Sequence, residues 1–127
     1  VLLEALSRRR PVIVFDENKD LMLITGSPGG SLIPAAILRV ITGVIDFDLN
    51  IGEATMLTRV HKDWPTTGIL HEKTLSSDLA KGLNIIGHKV TEEHTMGSTQ
   101  SIHIVDGINY GYADLRRPNA SVSIQPN

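Results

Sequence analysis

The stretch that most constrains this chain is a glycine-rich loop between two apolar segments. The loop, "GSPGGS" at residues 26–31, separates "LMLIT" at 21–25 from "LIPAAIL" at 32–38. The first apolar segment is typical of a strand, and Pro34 suits the first turn of a helix, where its missing N–H leaves no hydrogen bond unmade. A strand, such a loop and a helix in succession place backbone N–H groups at a helix N-terminus, which favours negative charge. The loop is therefore the first candidate for a functional site.

Two antiparallel hairpins are predicted, one near each end of the chain. Residues 11–15, "PVIVF", are rich in β-branched and aromatic side chains and pair with 21–25 across a polar turn. Residues 101–105 pair with 108–113, because the intervening Asp-Gly dipeptide at 106–107 matches a type I′ turn.

Two main helices are predicted, over about 34–48 and about 77–86, with a possible short helix at 51–57. In the first helix the polar positions form a narrow stripe: Arg39, Thr42, Gly43 and Asp46. In the second, Ser76 or Ser77 serves as N-cap and Gly87 follows the C-terminus. This order of elements predicts an α+β fold with about four antiparallel strands.

The apolar surface exceeds what these elements can cover by themselves. Strand 11–15 is apolar on both faces, and the first helix is apolar around most of its circumference. We therefore expect further layers from other chain segments, with residues 1–127 forming a single incomplete domain. The absence of an initial Met agrees with a chain that begins inside a longer reading frame or after a processing cut.

Composition gives no support for nucleic-acid binding or membrane insertion. The net charge is −2, aromatic residues make up 4% of the chain, and no apolar run approaches the length of about eighteen residues that spans a bilayer. No cysteine is present, which excludes disulfides, thiolate chemistry and cysteine-ligated zinc.

The glycine loop allows three interpretations. It lacks the lysine of a P-loop and the G-x-G-x-x-G spacing, so the pattern for a phosphate site is weak. Consecutive glycines can instead direct two N–H groups at a developing oxyanion. The third interpretation is a loop that needs glycine only for positive φ angles.

Other polar clusters have plainer interpretations. Residues 94–105, "HTMGSTQSIHIV", could line a pocket or cap a sheet edge, and His103 alternates with isoleucines, which predicts the solvent face of its strand. The five histidines include no helical i, i+4 pair, so no metal site is expected. The arginines at 8–10 are typical of a solvated charge run, with anion steering as the alternative.

Five sequence motifs occur in the same order as in a known protein family, and they indicate a function that residue spacing alone does not. They are "TGSPGGS", "VIDFDLNIGEA", "GHKV", "MGSTQSI" and "DGINYGYADLRRP". From about Pro11 to Pro118 the chain resembles the C-terminal part of the small subunit of gamma-glutamyltransferase, also called glutathione hydrolase.

The resemblance implies an N-terminal-nucleophile hydrolase fold, an αββα sandwich whose precursor cuts itself into two subunits. In that family an N-terminal Thr attacks the gamma-glutamyl amide of glutathione, and the acyl group passes to water or to an amino acid or peptide acceptor. The implied partners are the remaining large- and small-subunit segments, with no cofactor. The implied location is the periplasm, the exterior or the cell surface.

The resemblance also assigns site residues. Gly29 and Gly30 match the glycines whose N–H groups form the oxyanion hole, and Ser7 matches the first of two substrate-binding serines. Arg8 replaces the second serine, where it could still pair with the substrate carboxylate. The Thr-Thr-His nucleophile segment has no match in the chain, which is therefore predicted to be inactive alone. The alternative is an inactive remnant that binds a partner or a small ligand.

Four further positions match family motifs outside the glycine loop. Thr99 lies in a segment expected to be mostly structural, and Asp114 with Arg116 matches a terminal Asp-Pro-Arg pattern in which Leu115 replaces Pro. Arg59 matches the Arg of a Pro-Arg pair.

Overall fold

The structure is a computed structural model that describes residues 11–63, 65, 68–118 and 120–124. Within these ranges the chain forms seven strands, three α-helices and one short 3-10 helix at Gly30–Leu32. The strands are β1 (Val12–Phe15), β2 (Leu21–Gly26), β3 (Val60–His61), β4 (Gly68–Glu72), β5 (Lys89–Glu93), β6 (Gln100–Val105) and β7 (Ile108–Ala113). The helices are α1 (Ile33–Ile45), α2 (Ile51–Met56) and α3 (Ser77–Ile85).

The chain divides into two compact units. One comprises residues up to Leu57 together with those from Gly97 onward, and the other is Thr58–Met96. The first unit contains the glycine loop.

The first unit is built on a four-stranded antiparallel sheet in the order β1-β2-β6-β7. Both predicted hairpins are confirmed, and the Asp106-Gly107 turn has the two positive φ angles, 50° and 76°, that a type I′ turn requires. The hairpins join where β2 pairs with β6, with Thr25 opposite Ser101.

Helices α1 and α2 cover one face of this sheet. The core that they form with β2 consists of Leu23, Val40, Val44, Ile51 and Ala54. Helix α1 ends at Ile45, three residues before the predicted end at 48. The helix stops there because Asp48 adopts a left-handed φ of 53° and the Leu49 N–H turns back to the Gly43 carbonyl.

Gly43 does not belong to a polar stripe, so that part of the prediction is wrong. The residue is buried, and a Cβ added to it would lie 2.8 Å from Cβ of Ala54. Glycine there lets α1 and α2 approach closely, whereas the sequence pattern had grouped it with polar residues.

The second unit contains a three-stranded sheet, β3-β4-β5, that the sequence did not predict. Strands β3 and β4 are antiparallel, and β4 and β5 are parallel with α3 between them in the chain. Helix α3 is confirmed, with the Leu79 N–H donating to Oγ of Ser76 at 3.2 Å and with Gly87 at φ 95° beyond its end. The short helix α2 is confirmed as well.

Large apolar side chains remain exposed on the first unit. On β1, Ile13 is 50% and Phe15 is 58% exposed, and on α1 Leu38 is 61% exposed. These are the strand and the helix for which the sequence predicted additional covering layers. Among the described residues, no helix has the length and hydropathy needed to cross a bilayer.

Candidate functional site

The glycine loop follows β2 and leads into the 3-10 helix and then α1. Gly29 has φ 138° and Gly30 has φ 59°, both in the range that favours glycine. Both positions therefore have a backbone conformation that requires glycine, whichever of the three interpretations of the loop applies.

The N–H groups of this loop lie where a helix begins. The Leu32 N–H donates to the Gly29 carbonyl at 3.1 Å, which starts the 3-10 turn. Neither the 3-10 helix nor α1 has a side-chain N-cap. Within the described part of the chain, neither the Gly29 nor the Gly30 N–H donates a hydrogen bond. Two successive donors at the start of a helix are therefore available to an outside acceptor.

A buried hydroxyl holds the loop from behind. Ser27 is fully buried, and its Oγ donates to the Pro28 carbonyl at 2.8 Å. The same Oγ accepts the Ser98 N–H at 3.0 Å. Ser27 therefore links the glycine loop to the segment that precedes β6.

Gly97 completes the contact between these two segments. Its φ is 72°, and an added Cβ would lie 2.6 Å from Oγ of Ser27 and 3.2 Å from Cβ of Ala36. A Cβ on Gly29 would in turn lie 3.5 Å from Cα of Gly97. The sequence pattern predicted no role for Ser27 or Gly97, although each lies in a run of small residues next to a predicted strand.

Asp114 anchors the segment after Gly97. It is fully buried, and its carboxylate accepts the Thr99 N–H at 2.9 Å and the Arg116 N–H at 3.0 Å. The Arg116 guanidinium pairs with Asp114 at 3.2 Å and donates to the carbonyls of Thr55 and Leu57 at the end of α2. These contacts agree with the structural role expected for Thr99.

A second buried pair, Arg59 and Glu72, lies within the second unit. The Arg59 N–H donates to Oε2 of Glu72 at 2.9 Å, and its guanidinium donates to the Met96 carbonyl at 2.6 Å. In the same unit, Nε2 of His61 lies 2.8 Å from Oδ1 of Asp63. The matched Arg59 is therefore a structural anchor of its own unit.

His103 does not lie on the solvent face that its alternation with isoleucine predicted. It pairs across the sheet with the fully buried Leu23, so both side chains share the helix-covered face. Burial lowers the pKa of His103. It also lines a cleft of about 1090 Å³ together with Asn50 and Tyr110. Alternation was misleading because both faces of this sheet carry apolar residues.

The remaining predicted site residues are Ser7 and Arg8, which lie outside the described residues, as does the rest of the 8–10 arginine run. Among the described residues, no three His, Asp or Glu side chains come together in a way that could hold a metal ion.

Comparison with known proteins identifies the family. The model of the family described as Gamma-glutamyltranspeptidase matches residues 4–124. The glutathione hydrolase proenzyme of Escherichia coli is 43% identical over 112 residues, which are 87% of this chain and 19% of that protein. The chain therefore spans about a fifth of the length of that relative.

Solved structures of similar proteins agree with this family match. A mutant gamma-glutamyltranspeptidase of Helicobacter pylori is 35% identical with a TM-score of 0.80, over 88% of this chain and 62% of that one. The enzyme of Pseudomonas nitroreducens complexed with L-DON is 27% identical with a TM-score of 0.82, over 94% and 64%. The predicted α+β, N-terminal-nucleophile hydrolase class is confirmed. This chain belongs to the gamma-glutamyltranspeptidase family.

Proposed function

We propose that this chain supplies the oxyanion hole of an enzyme that cleaves the gamma-glutamyl amide of glutathione. The N–H groups of Gly29 and Gly30 donate to the oxyanion that forms when a nucleophile attacks the gamma-glutamyl carbonyl. The glutamyl group then passes to water or to an amino acid or peptide acceptor. The nucleophile and the rest of the active site come from large- and small-subunit segments that this chain does not contain.

The observation that carries this proposal is the pair of available amides at an uncapped helix start. Backbone donors fixed before the reaction cost no reorganisation when charge develops, and each contributes about 3–4 kcal/mol to transition-state stabilisation in such sites. The partial positive charge at the start of a helix adds to the effect. The loop lies in the motif that resembles the family's oxyanion hole.

Substrate binding and location belong to the same proposal. We place the substrate carboxylate near Ser7 and Arg8, because a guanidinium binds a carboxylate through two parallel hydrogen bonds. No cofactor takes part. Family resemblance supports a periplasmic, secreted or cell-surface location.

The test uses a chimera in which this chain replaces the matching region of the E. coli proenzyme. Gly30→Val adds a side chain where no atom lies within 4 Å of the new Cβ, so the main perturbation is to the φ of 59°. A β-branched residue disfavours that angle, so the peptide between residues 29 and 30 must rotate, which turns the N–H of residue 30 away from the oxyanion. We expect kcat for a chromogenic gamma-glutamyl anilide to fall about 10²–10³-fold with KM little changed.

Gly107→Val is the matched control, because Gly107 has φ 76° and also has open space around its Cβ. It imposes similar strain in the β6–β7 turn, away from the loop, and we expect it to leave kcat unchanged. Wild-type kcat in a folded Gly30→Val chimera would refute the oxyanion role.

The alternative is a catalytically inactive remnant that binds a partner or a small acidic ligand. The replacement of the family's second serine by Arg8 favours it. A chimera that processes and folds but has no activity, while titration calorimetry shows glutathione binding, would support this alternative.

A further inference from the structure

We infer that Ser27 is a positioning residue for the oxyanion hole, acting through the peptide group between Pro28 and Gly29. This role rests on the proposed function, and Ser27 lies in the motif "TGSPGGS", in which the resemblance gave a role only to Gly29 and Gly30.

The peptide group between Pro28 and Gly29 is planar. The Pro28 carbonyl and the Gly29 N–H belong to one peptide group, and in a trans peptide they point in opposite directions. Oγ of Ser27 donates to that carbonyl at 2.8 Å. The hydrogen bond therefore fixes the carbonyl toward the buried side and directs the Gly29 N–H away from it.

This peptide needs such a restraint. Glycine tolerates both signs of φ at little cost, so the peptide preceding Gly29 can rotate more easily than most. At φ 138°, Gly29 lies outside the regions that other residues readily adopt. The hydrogen bond from Ser27 to the Pro28 carbonyl favours one orientation of this peptide over the others.

The hydroxyl of Ser27 is itself fixed. Its oxygen accepts the Ser98 N–H at 3.0 Å, and its one proton is directed to Pro28. The side chain is fully buried and so is the hydrogen bond that it accepts from Ser98, whereas the bond that it donates to Pro28 is partly buried. The position of Ser98 thus determines where Ser27 points, and Ser27 determines where the Gly29 N–H points.

A second buried hydroxyl pair provides the control. Oγ1 of Thr25 and Oγ of Ser101 lie 2.7 Å apart, both buried, in the same sheet. Removing Ser101 breaks a hydroxyl hydrogen bond between two buried side chains, neither of which lies in the glycine loop at 26–31.

The experiment compares Ser27→Ala and Ser101→Ala in the chimera with the E. coli proenzyme. We expect both variants to lower the thermal unfolding midpoint. Only Ser27→Ala should lower kcat, by about tenfold, with KM for the gamma-glutamyl anilide within about twofold of the parent. If Ser27→Ala does not fold, Ser27→Cys keeps the side-chain shape with a weaker donor, and a kcat a few-fold below the parent is expected.

A double-mutant cycle separates positioning from general stabilisation. Once Gly29→Val has rotated the peptide, adding Ser27→Ala should lower kcat by less than twofold further. Full additivity, or a kcat for Ser27→Ala or Ser27→Cys equal to that of Ser101→Ala, would overturn the inference and leave the oxyanion hole standing. A Gly29→Val variant with parental kcat would instead overturn the proposed function itself.

Discussion

Gly97→Ala should be among the most disruptive single-methyl additions available in the first unit. The added Cβ would lie 2.6 Å from Oγ of Ser27, 3.2 Å from Cβ of Ala36 and 3.2 Å from the Pro28 carbonyl oxygen. None of these atoms is the free end of a flexible side chain. The backbone at φ 72° also disfavours any residue with a Cβ.

Three contributions add up to the expected loss in the free energy of unfolding of Gly97→Ala. The left-handed conformation costs a non-glycine residue about 1–2 kcal/mol. Overpacking adds about 1–3 kcal/mol. Displacing the Ser27 hydroxyl loses hydrogen bonding of about 0.5–1.5 kcal/mol. The expected loss in the free energy of unfolding is therefore about 2.5–6.5 kcal/mol, a large part of a typical domain's stability.

Gly107→Ala isolates the packing contribution. Gly107 has nearly the same φ, 76°, but no atom lies within 4 Å of its added Cβ, so only the conformational cost of about 1–2 kcal/mol applies. In urea unfolding of the chimera we expect the midpoint of Gly97→Ala to lie about 1 M or more below that of Gly107→Ala. Equal midpoints would show that the contact between Gly97 and Ser27 is not as tight as described.

Three further variants probe other parts of the chain. Gly43→Ala should lower the thermal midpoint, because overpacking against Ala54 costs about 1–3 kcal/mol. Gly82→Ala has open space around its Cβ in α3 and should raise the midpoint, because alanine favours a helix over glycine by about 1 kcal/mol. Equal shifts for the two variants would argue against close packing of α1 on α2. His103 has a pKa below its ordinary value of 6.5 in the fold, so the unfolded chain binds more protons and stability falls as the pH drops below about 6.5. His103→Gln should therefore lose less thermal stability than the parent between pH 7.5 and 5.5, and identical losses would contradict a lowered pKa of this partly buried imidazole.

Features set by neighbouring residues were predictable from the sequence. The Asp106-Gly107 turn and the Ser76 cap each depend on a few adjacent positions, and both were predicted. The glycine loop was also recognisable, because consecutive glycines before an apolar helix are a local pattern.

Features set by distant residues were not predictable. The hydrogen bond from Ser98 to Ser27 joins residues 71 positions apart, and the burial of Gly43 depends on where α2 lies. The parallel pairing of β4 with β5 was missed because "KVTEE" is mostly polar and gives no strand pattern. His103 was misplaced because alternation gives the faces of a sheet only when one of them is polar.

The pairing of β2 with β6 has a consequence for the order of folding. Each hairpin closes through a short turn, but Thr25 and Ser101 meet across 76 positions of chain. Closing so long a loop costs about 2.5 kcal/mol more in chain entropy than closing a hairpin turn. We expect the two hairpins to form first and the pairing of β2 with β6 to form late, as the rate-limiting step of folding. The Ser98–Ser27 contact lies beside that junction, so the loop that carries Gly29 and Gly30 acquires its shape only when the two hairpins have paired.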